Sequence, residues 1–266
     1  MPKDSVQLIN SAGEKGSPVD VPWFMKAEVD VDMVKRVHSL MFSGWHQPQG
    51  RDPMAGKRTV AESWGVDRGM SRTPRTPGGR ARFAPGTVKG RLAHPPRTAK
   101  VITKRTNSKE RLLAVLSGAS ASASPDAVRA RGHSLPDGLD LPIVFDDSVS
   151  SISRTSEVKD LLGKLGLQAE LARASKFRKM SGVAASRGRS KKRRVGPLFV
   201  VENGRSLARA AKNIPGVDVV SPKELSVRDL APNGTPGRLV LWSQTSLDVM
   251  ERRLNKIGEK VRAAIP

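Results

Sequence analysis

The chain has 266 residues, with 47 Lys and Arg against 25 Asp and Glu, a formal charge of +22, and neither cysteine nor tyrosine. Without cysteine there can be no disulfide, thiolate zinc site or cysteine nucleophile, and an aromatic content of 4% argues against a large aromatic core. No apolar run approaches the roughly 18 residues of a membrane span, and the leading MPKDSVQLIN lacks the apolar centre of a signal peptide. The expectation is a soluble, intracellular chain with no membrane contact and no homo-oligomer, whose basic balance calls for a polyanionic partner.

The charge is concentrated. Residues 51–105 carry 14 Lys and Arg against Asp52, Glu62 and Asp67, and residues 173–194 carry ten with no acid. These two stretches hold +21 of the excess, and the other 189 residues are close to neutral. The chain therefore reads as an ordinary body with two basic attachments.

In chain order, SVQLIN (5–10) predicts a strand, and VDVDMVKRVHSLMF (29–42) a helix with Val34, Val37, Leu40 and Met41 on one face. Asn107 followed by Glu110 resembles a capping box ahead of the helix ERLLAVLSGA. SGASASASPD (117–126) reads as a low-complexity linker. LPIVFDD (141–147) is an expected strand, TSEVKDLLGKLG (155–166) a short helix with a glycine stop, and LQAELARASKFRKM (167–180) a second helix with a basic end. GPLFVVE (196–202), VDVV (217–220) and RLVLWS (238–243) read as strands. SLARAAKNI (206–214) and SLDVMERRLNKIGEKVRAA (246–264) read as helices, with a turn-like SPKELSVRDLAP between them. Short apolar strands alternating with helical patterns predict the α/β class, a mostly parallel sheet covered by helices.

Residues 44–97 interrupt the pattern with nine Gly and seven Pro and no apolar period. Ordering such a backbone costs roughly 1–2 kcal/mol per residue, which so few apolar side chains cannot offset. The expected organisation is a globular domain of residues 1–43 and 98–266 and an extended basic loop at 44–97, disordered when free and ordered on its partner. A basic binding segment at 173–195 lies within the globular part.

The loop carries the strongest functional signal. Arg supplies a planar fork for phosphate and a face for stacking on bases, and glycine lets backbone approach closely. The candidate RNA contacts there are Arg51, Lys57, Arg58, Trp64, Arg68, Arg72, Arg75, Arg80, Arg82, Phe83, Lys89, Arg91, His94, Arg97 and Lys100. In the second segment, SRGRSKKRRVGP (186–197) has six basic residues between Arg187 and Arg194. The candidates are Arg178, Lys179, Arg187, Arg189, Lys191, Lys192, Arg193 and Arg194, a run extended by self-repulsion until a polyanion neutralises it.

Enzyme signatures fail. GRDPMAGKR (50–58) has one residue too many between its glycines for a phosphate-binding loop, and Arg58 stands where Ser or Thr would hold magnesium. His38, His46, His94 and His133 lack metal-ligand spacing, Asp146-Asp147 reads as a loop cap, and no nucleophile elbow is present. No catalytic residue, cofactor or metal is expected.

AGKRTVAESWGVDRG (55–69), GGRARFAPGTVKGRLAHPPRTAK (78–100), SRGRSKKRRVGPLFVV (186–201) and DLAPNGTPGRLVLW (229–242) resemble the ribosomal protein L-four family of the large subunit. The AHPP and DLAPNGTPGRL elements look like its archaeal/eukaryotic branch, and the blocks keep family order over nearly the whole chain. The resemblance implies a structural protein of the cytoplasmic ribosome that binds large-subunit rRNA early in assembly, with an α/β domain on the outer side of the subunit and a loop driven between rRNA helices to the peptide exit tunnel. It also implies neighbouring ribosomal proteins and the nascent polypeptide as partners. It places Arg75, Thr76, Pro77, Gly78, Gly79, Arg80, Ala81 and Arg82 at a loop tip that lines the tunnel constriction. Two rivals are a nucleic-acid-modifying α/β enzyme with a basic guiding loop and a chromatin-like basic binding module.

Overall fold

Leu239 and Leu241 join one apolar cluster while Val240 and Trp242, interleaved with them, join another. The same division separates Val144 from Ile143 and Phe145, and Leu198 and Val200 from Phe199 and Val201. Successive strand side chains point to opposite faces, so a sheet apolar on both faces must be covered on both. A computed structural model, which describes residues 4–136 and 138–257, has this architecture. The chain divides into two units, one formed by residues up to Met41 with those from Arg105 onward, the other spanning Phe42–Lys104.

In the first unit, β1 (Ser5–Ile9) and β2 (Lys15–Asp20) form an antiparallel pair, followed by α1 (Val31–Phe42), α2 (Ser108–Ala123) and α3 (Pro125–Ala130). Next come β3 (Ile143–Phe145), α4 (Thr155–Lys164), α5 (Gln168–Ser175), β4 (Phe177–Lys179), α6 (Val183–Ser186) and β5 (Lys191–Arg193). The order ends with β6 (Leu198–Val200), α7 (Arg205–Ala211), β7 (Asp218–Val220), α8 (Val227–Leu230), β8 (Val240–Ser243) and α9 (Gln244–Leu254). The main sheet has six strands in the order β2-β1-β3-β8-β6-β7, parallel at every pairing except β1–β2. Residues of α1, α2, α8 and α9 pack on one face, and residues of α3, α4 and α7 on the other. The expected mixed α/β class with a largely parallel sheet is present.

Several local expectations are corrected. SGASASASPD is no linker, because Ser117 to Ala123 form the buried second half of α2. Its serines satisfy their hydroxyls on carbonyls, Ser120 on Ala27 and Ser122 on Ala119 at 2.6 Å, so they are buried at little cost. Gly118 lets α2 approach α8, since a Cβ there would stand 3.1 Å from the Leu230 Cβ. The helix expected over 167–180 stops at Ser175, and the chain turns into β4. The turn-like 221–232 stretch contains α8, closed by a reciprocal Ser226–Asp229 capping box. Strand β2 was not expected, since Gly16 and Pro18 argue against a strand; it is an edge strand, where proline is tolerated. Asn107 does cap α2, accepting from the Lys109 N–H at 3.3 Å, while Glu110 pairs with Arg36 at 3.7 Å. Residues 258–264 of the expected final helix lie outside the described residues.

The second unit contains the Gly/Pro-rich stretch 44–97 and is irregular. Its chain is folded back on itself. The Arg51 N–H donates to the Pro96 carbonyl at 3.3 Å, and Glu62 and Arg75 exchange backbone hydrogen bonds of 3.1 and 2.9 Å. Between them, Gly56 crosses Gly90 so closely that a Cβ on Gly56 would sit 2.5 Å from the Gly90 carbonyl, so backbone meets backbone. A second turn, residues 76–80, closes with the Thr76 N–H on the Arg80 carbonyl at 3.0 Å, and Arg75 bridges to both Glu62 and Ala81.

Candidate nucleic-acid interface

The second basic segment is a two-stranded hairpin. β4 and β5 pair antiparallel with Phe177 opposite Arg193, Arg178 opposite Lys192 and Lys179 opposite Lys191. Every residue of both strands is exposed, as are Arg187, Arg189 and Arg194. Like charges directly opposite each other destabilise a strand pair, and an isolated two-stranded hairpin is marginal in water. The arrangement is therefore held from its root.

That root is a buried polar network. Glu170, fully buried, accepts from Arg173 Nε at 2.8 Å and Nη2 at 2.6 Å, from the Ser134 N–H at 2.9 Å, and pairs with His133 Nδ1 at 2.7 Å. Burial alone would raise the Glu170 carboxyl, but hydrogen bonds from Arg173, His133 and Ser134 outweigh it and hold the group at about 2. Arg173 Nη2 also donates to the Val195 carbonyl at 2.7 Å, at the exit of the hairpin. One residue on, the Gly196 carbonyl accepts from Arg238 Nε at 2.9 Å. Arg238 is 2% exposed and also reaches the Asp229 carbonyl at 3.0 Å and the Asp218 carboxylate. Arg131 donates to the carbonyls of Pro232, at 2.9 Å, and Thr235, and burial followed by the nearby Arg238 and Arg173 pushes it down to about 10.

Sequence reasoning counted Arg173 among the basic attachments and gave Arg131 and Arg238 no role. The structure makes all three internal. A signal was present: Arg238 sits in DLAPNGTPGRL, where Asp229 and Gly237 also serve the fold. Asp229 closes the α8 capping box, and Gly237, at φ +97°, has no room for a Cβ because the Ala127 carbonyl oxygen would lie 2.5 Å away.

In the loop unit, Arg51, Lys57, Arg58, Trp64, Arg68, Arg72, Arg80, Phe83, Lys89, His94, Arg97 and Lys100 are exposed, while Arg75, Arg82 and Arg91 are half-buried. Some of these cations already have internal partners. Arg58 closes on Asp52, which its hydrogen bond holds below the usual carboxylate range. Arg75 donates to the Gly79 carbonyl at 2.9 Å and the Ser71 hydroxyl at 3.2 Å, and Arg82 to the Val88 carbonyl at 3.0 Å. Arg58, Arg80, Arg82 and Lys89, with Thr59 and Thr76, line a concavity of about 430 Å³. Large apolar side chains also face solvent, with Val88 82% and Val60 78% exposed beside Trp64, Val66 and Met70. These exposed apolar groups are interleaved in sequence with the loop's cations. Asp67, Phe83 and Lys89 have positive φ, a strained conformation for such side chains that persists where surroundings impose it.

Asp146 and Asp147 act as expected, Asp146 capping the turn that follows β3 and Asp147 accepting from the Thr245 N–H at 3.3 Å. Among the described residues, no group of three or more His, Asp or Glu is placed to hold a metal ion.

A model of the ribosomal protein L4/L1 family matches residues 19–253. The large ribosomal subunit protein uL4 of Saccharolobus islandicus is 42% identical over 257 residues, covering 96% of each chain. The same protein of Saccharolobus solfataricus is 40% identical with equal coverage, and that of Sulfolobus acidocaldarius is 39% identical over 254 residues, covering 93% of this chain and 94% of the relative.

Proposed function

This chain belongs to the ribosomal protein L4/L1 family, and from that premise we propose that it binds large-subunit rRNA through the loop and the β4–β5 hairpin, with the loop lining the peptide exit tunnel. Its archaeal relatives are named as large ribosomal subunit proteins, and in this reading the chain is a structural, non-enzymatic protein of that subunit. The observation that carries the RNA reading is the hairpin: eight exposed cations from Arg178 to Arg194 with no acid to offset them. Lys179 stands directly opposite Lys191, and Arg178 opposite Lys192.

The mechanism is counterion release and shape. Lys and Arg displace the cations condensed on phosphates, and the doubled loop fills the space between RNA helices. Contacts go mainly to backbone, so sequence readout is modest. The segment 75–82 takes the tunnel-lining role, and neighbouring ribosomal proteins and the nascent chain complete the partners. Expressed in an archaeal host, the protein should sediment stoichiometrically with large subunits after a high-salt wash. Recovery only in the ribosome-free fraction would overturn the assignment.

A further inference from the structure

Strand alternation divides the hairpin into two faces. Phe177, Lys179, Lys191 and Arg193 share one face, and Arg178 and Lys192 the other. Phe177 is 44% exposed, belongs to neither apolar cluster, and has the Lys191 ammonium 4.9 Å from its ring centroid. The ring takes no part in either apolar core; on its own face of the hairpin Lys191 lies over it and Lys179 and Arg193 are its neighbours. A π-face beside phosphate-binding cations is the arrangement that holds a nucleobase, the base on the ring and its backbone on the charges. A paired base offers no free face for such a ring, so the ligand is unpaired RNA.

We propose that this face of the hairpin takes an unpaired nucleotide of RNA, its base stacked on Phe177 and its flanking phosphates on Lys179 and Arg193, while Arg178 and Lys192 hold a second stretch of backbone on the opposite face. The inference rests on the rRNA-binding reading of the hairpin and adds to it the class of RNA and the residue that selects it. The root supports this mode. Arg173 on Val195 and Arg238 on Gly196 fix one end of the hairpin to the globular unit, so the ring and the cations are presented together.

The test uses the full chain and a short single-stranded uridine oligonucleotide. Zero-length ultraviolet crosslinking followed by peptide mapping should place a crosslink on Phe177. Phe177→Leu, which keeps an apolar side chain without a π-face, should abolish that crosslink and lower the affinity of the hairpin-bound strand by about 5- to 100-fold. Phe177→Trp should restore both. The salt dependence of binding should be unchanged in all three, because no phosphate contact is lost. Binding with no crosslink at Phe177, or a Leu variant that binds and crosslinks like the parent, overturns the stacking proposal. The underlying reading fails separately: if replacing Arg178, Lys179, Lys192 and Arg193 together with Gln leaves the salt dependence untouched, the hairpin does not bind RNA by either face. Far-UV circular dichroism of each variant should match the parent, since none of these side chains is buried.

Discussion

Arg173 grips the carboxylate of Glu170 with two guanidinium nitrogens, at 2.6 and 2.8 Å, and with one of them also holds the Val195 carbonyl at 2.7 Å. One side chain thus ties α5 to the exit of the hairpin, and a charge that appears in the sequence as part of the basic run is consumed in building its base. The same network sets the acid stability of the fold. Burial, ahead of the effects of neighbouring charges, lowers His133, whose Nε2 also accepts from the Leu239 N–H at 3.4 Å. Folding therefore favours neutral His133 and ionised Glu170.

Both groups have folded values below their unfolded ones, so both contribute stability at neutral pH that is lost as pH falls. His133 loses its share as pH drops below its ordinary 6.5 toward its lower folded value. Glu170 loses its share between its ordinary 4.5 and about 2. A shift of that size corresponds to on the order of 3 kcal/mol. Urea midpoints measured from neutral to acid pH should fall in two stages. His38, lowered first by burial and then by Arg228, titrates in the upper window as well, so the informative comparison is with His133→Asn, which should be less stable at neutral pH and show a shallower upper stage. An identical pH profile in that variant would mean His133 is not held neutral.

The close approach of α2 to α8 makes a second prediction. At Gly118 a Cβ would lie 3.1 Å from Leu230 Cβ and 3.2 Å from its Cδ1, so a branched side chain must push the helices apart. Gly118→Val should cost about 1–3 kcal/mol. Ser122→Ala, which removes a hydroxyl bonded only within its own helix, should cost under about 1 kcal/mol. Urea denaturation of both variants separates the cases, and equal stability would show that the interface yields.

These residues also show what a single sequence conceals. The strands were legible because Leu, Val, Ile and Phe side chains cover both faces of the sheet, and the helices of 155–164 and 205–211 because their apolar residues recur at helical spacing. The second half of α2 was not, because Ser, Gly and Ala are small enough to bury by close backbone approach, and a hydropathy pattern registers only large apolar groups. The hairpin was hidden for the opposite reason: FRK and KKR lack any alternation of apolar and polar residues, and the Arg173 and Arg238 anchors at its exit form only once the chain is folded. In the candidate interface, charge density marked out both segments as candidates. It could not say which arginines face outward, since Arg75, Arg173 and Arg238 differ from their neighbours only in the carbonyls and carboxylates that the fold brings to them.

The globular unit should fold without the loop. Both apolar clusters draw their residues from outside 42–104, so replacing residues 46–95 with a short Gly/Ser linker should leave a cooperative thermal transition and near-unchanged helicity. Loss of the transition would show that the loop helps to build the core.

Salt dependence reports on the hairpin. If Lys191, Lys192, Arg193 and Arg194 all contact phosphate, neutralising them together should make the log–log slope of rRNA-fragment binding shallower by about three units. An unchanged slope would mean that the tract stays solvated.

The turn at 75–80 separates two arginine roles that the sequence treats alike. Arg75 is half-buried, with its guanidinium on the Gly79 carbonyl and the Ser71 hydroxyl and its backbone paired with Glu62. Arg80 is exposed. With this segment at the tunnel wall, as proposed, Arg80 supplies the positive potential that a nascent chain meets, while Arg75 sets the shape of the turn. Arg80→Glu should therefore enter subunits at parental levels yet alter nascent-chain stalling and the response to tunnel-binding inhibitors. Arg75→Gln should also enter subunits, but in the free protein it should increase proteolytic cleavage within residues 71–80, because the clasp across the turn is gone. Subunits lacking the Arg80 variant would make the turn an assembly element. Incorporated Arg80→Glu subunits that stall and respond to inhibitors like the parent would place the turn away from the lumen.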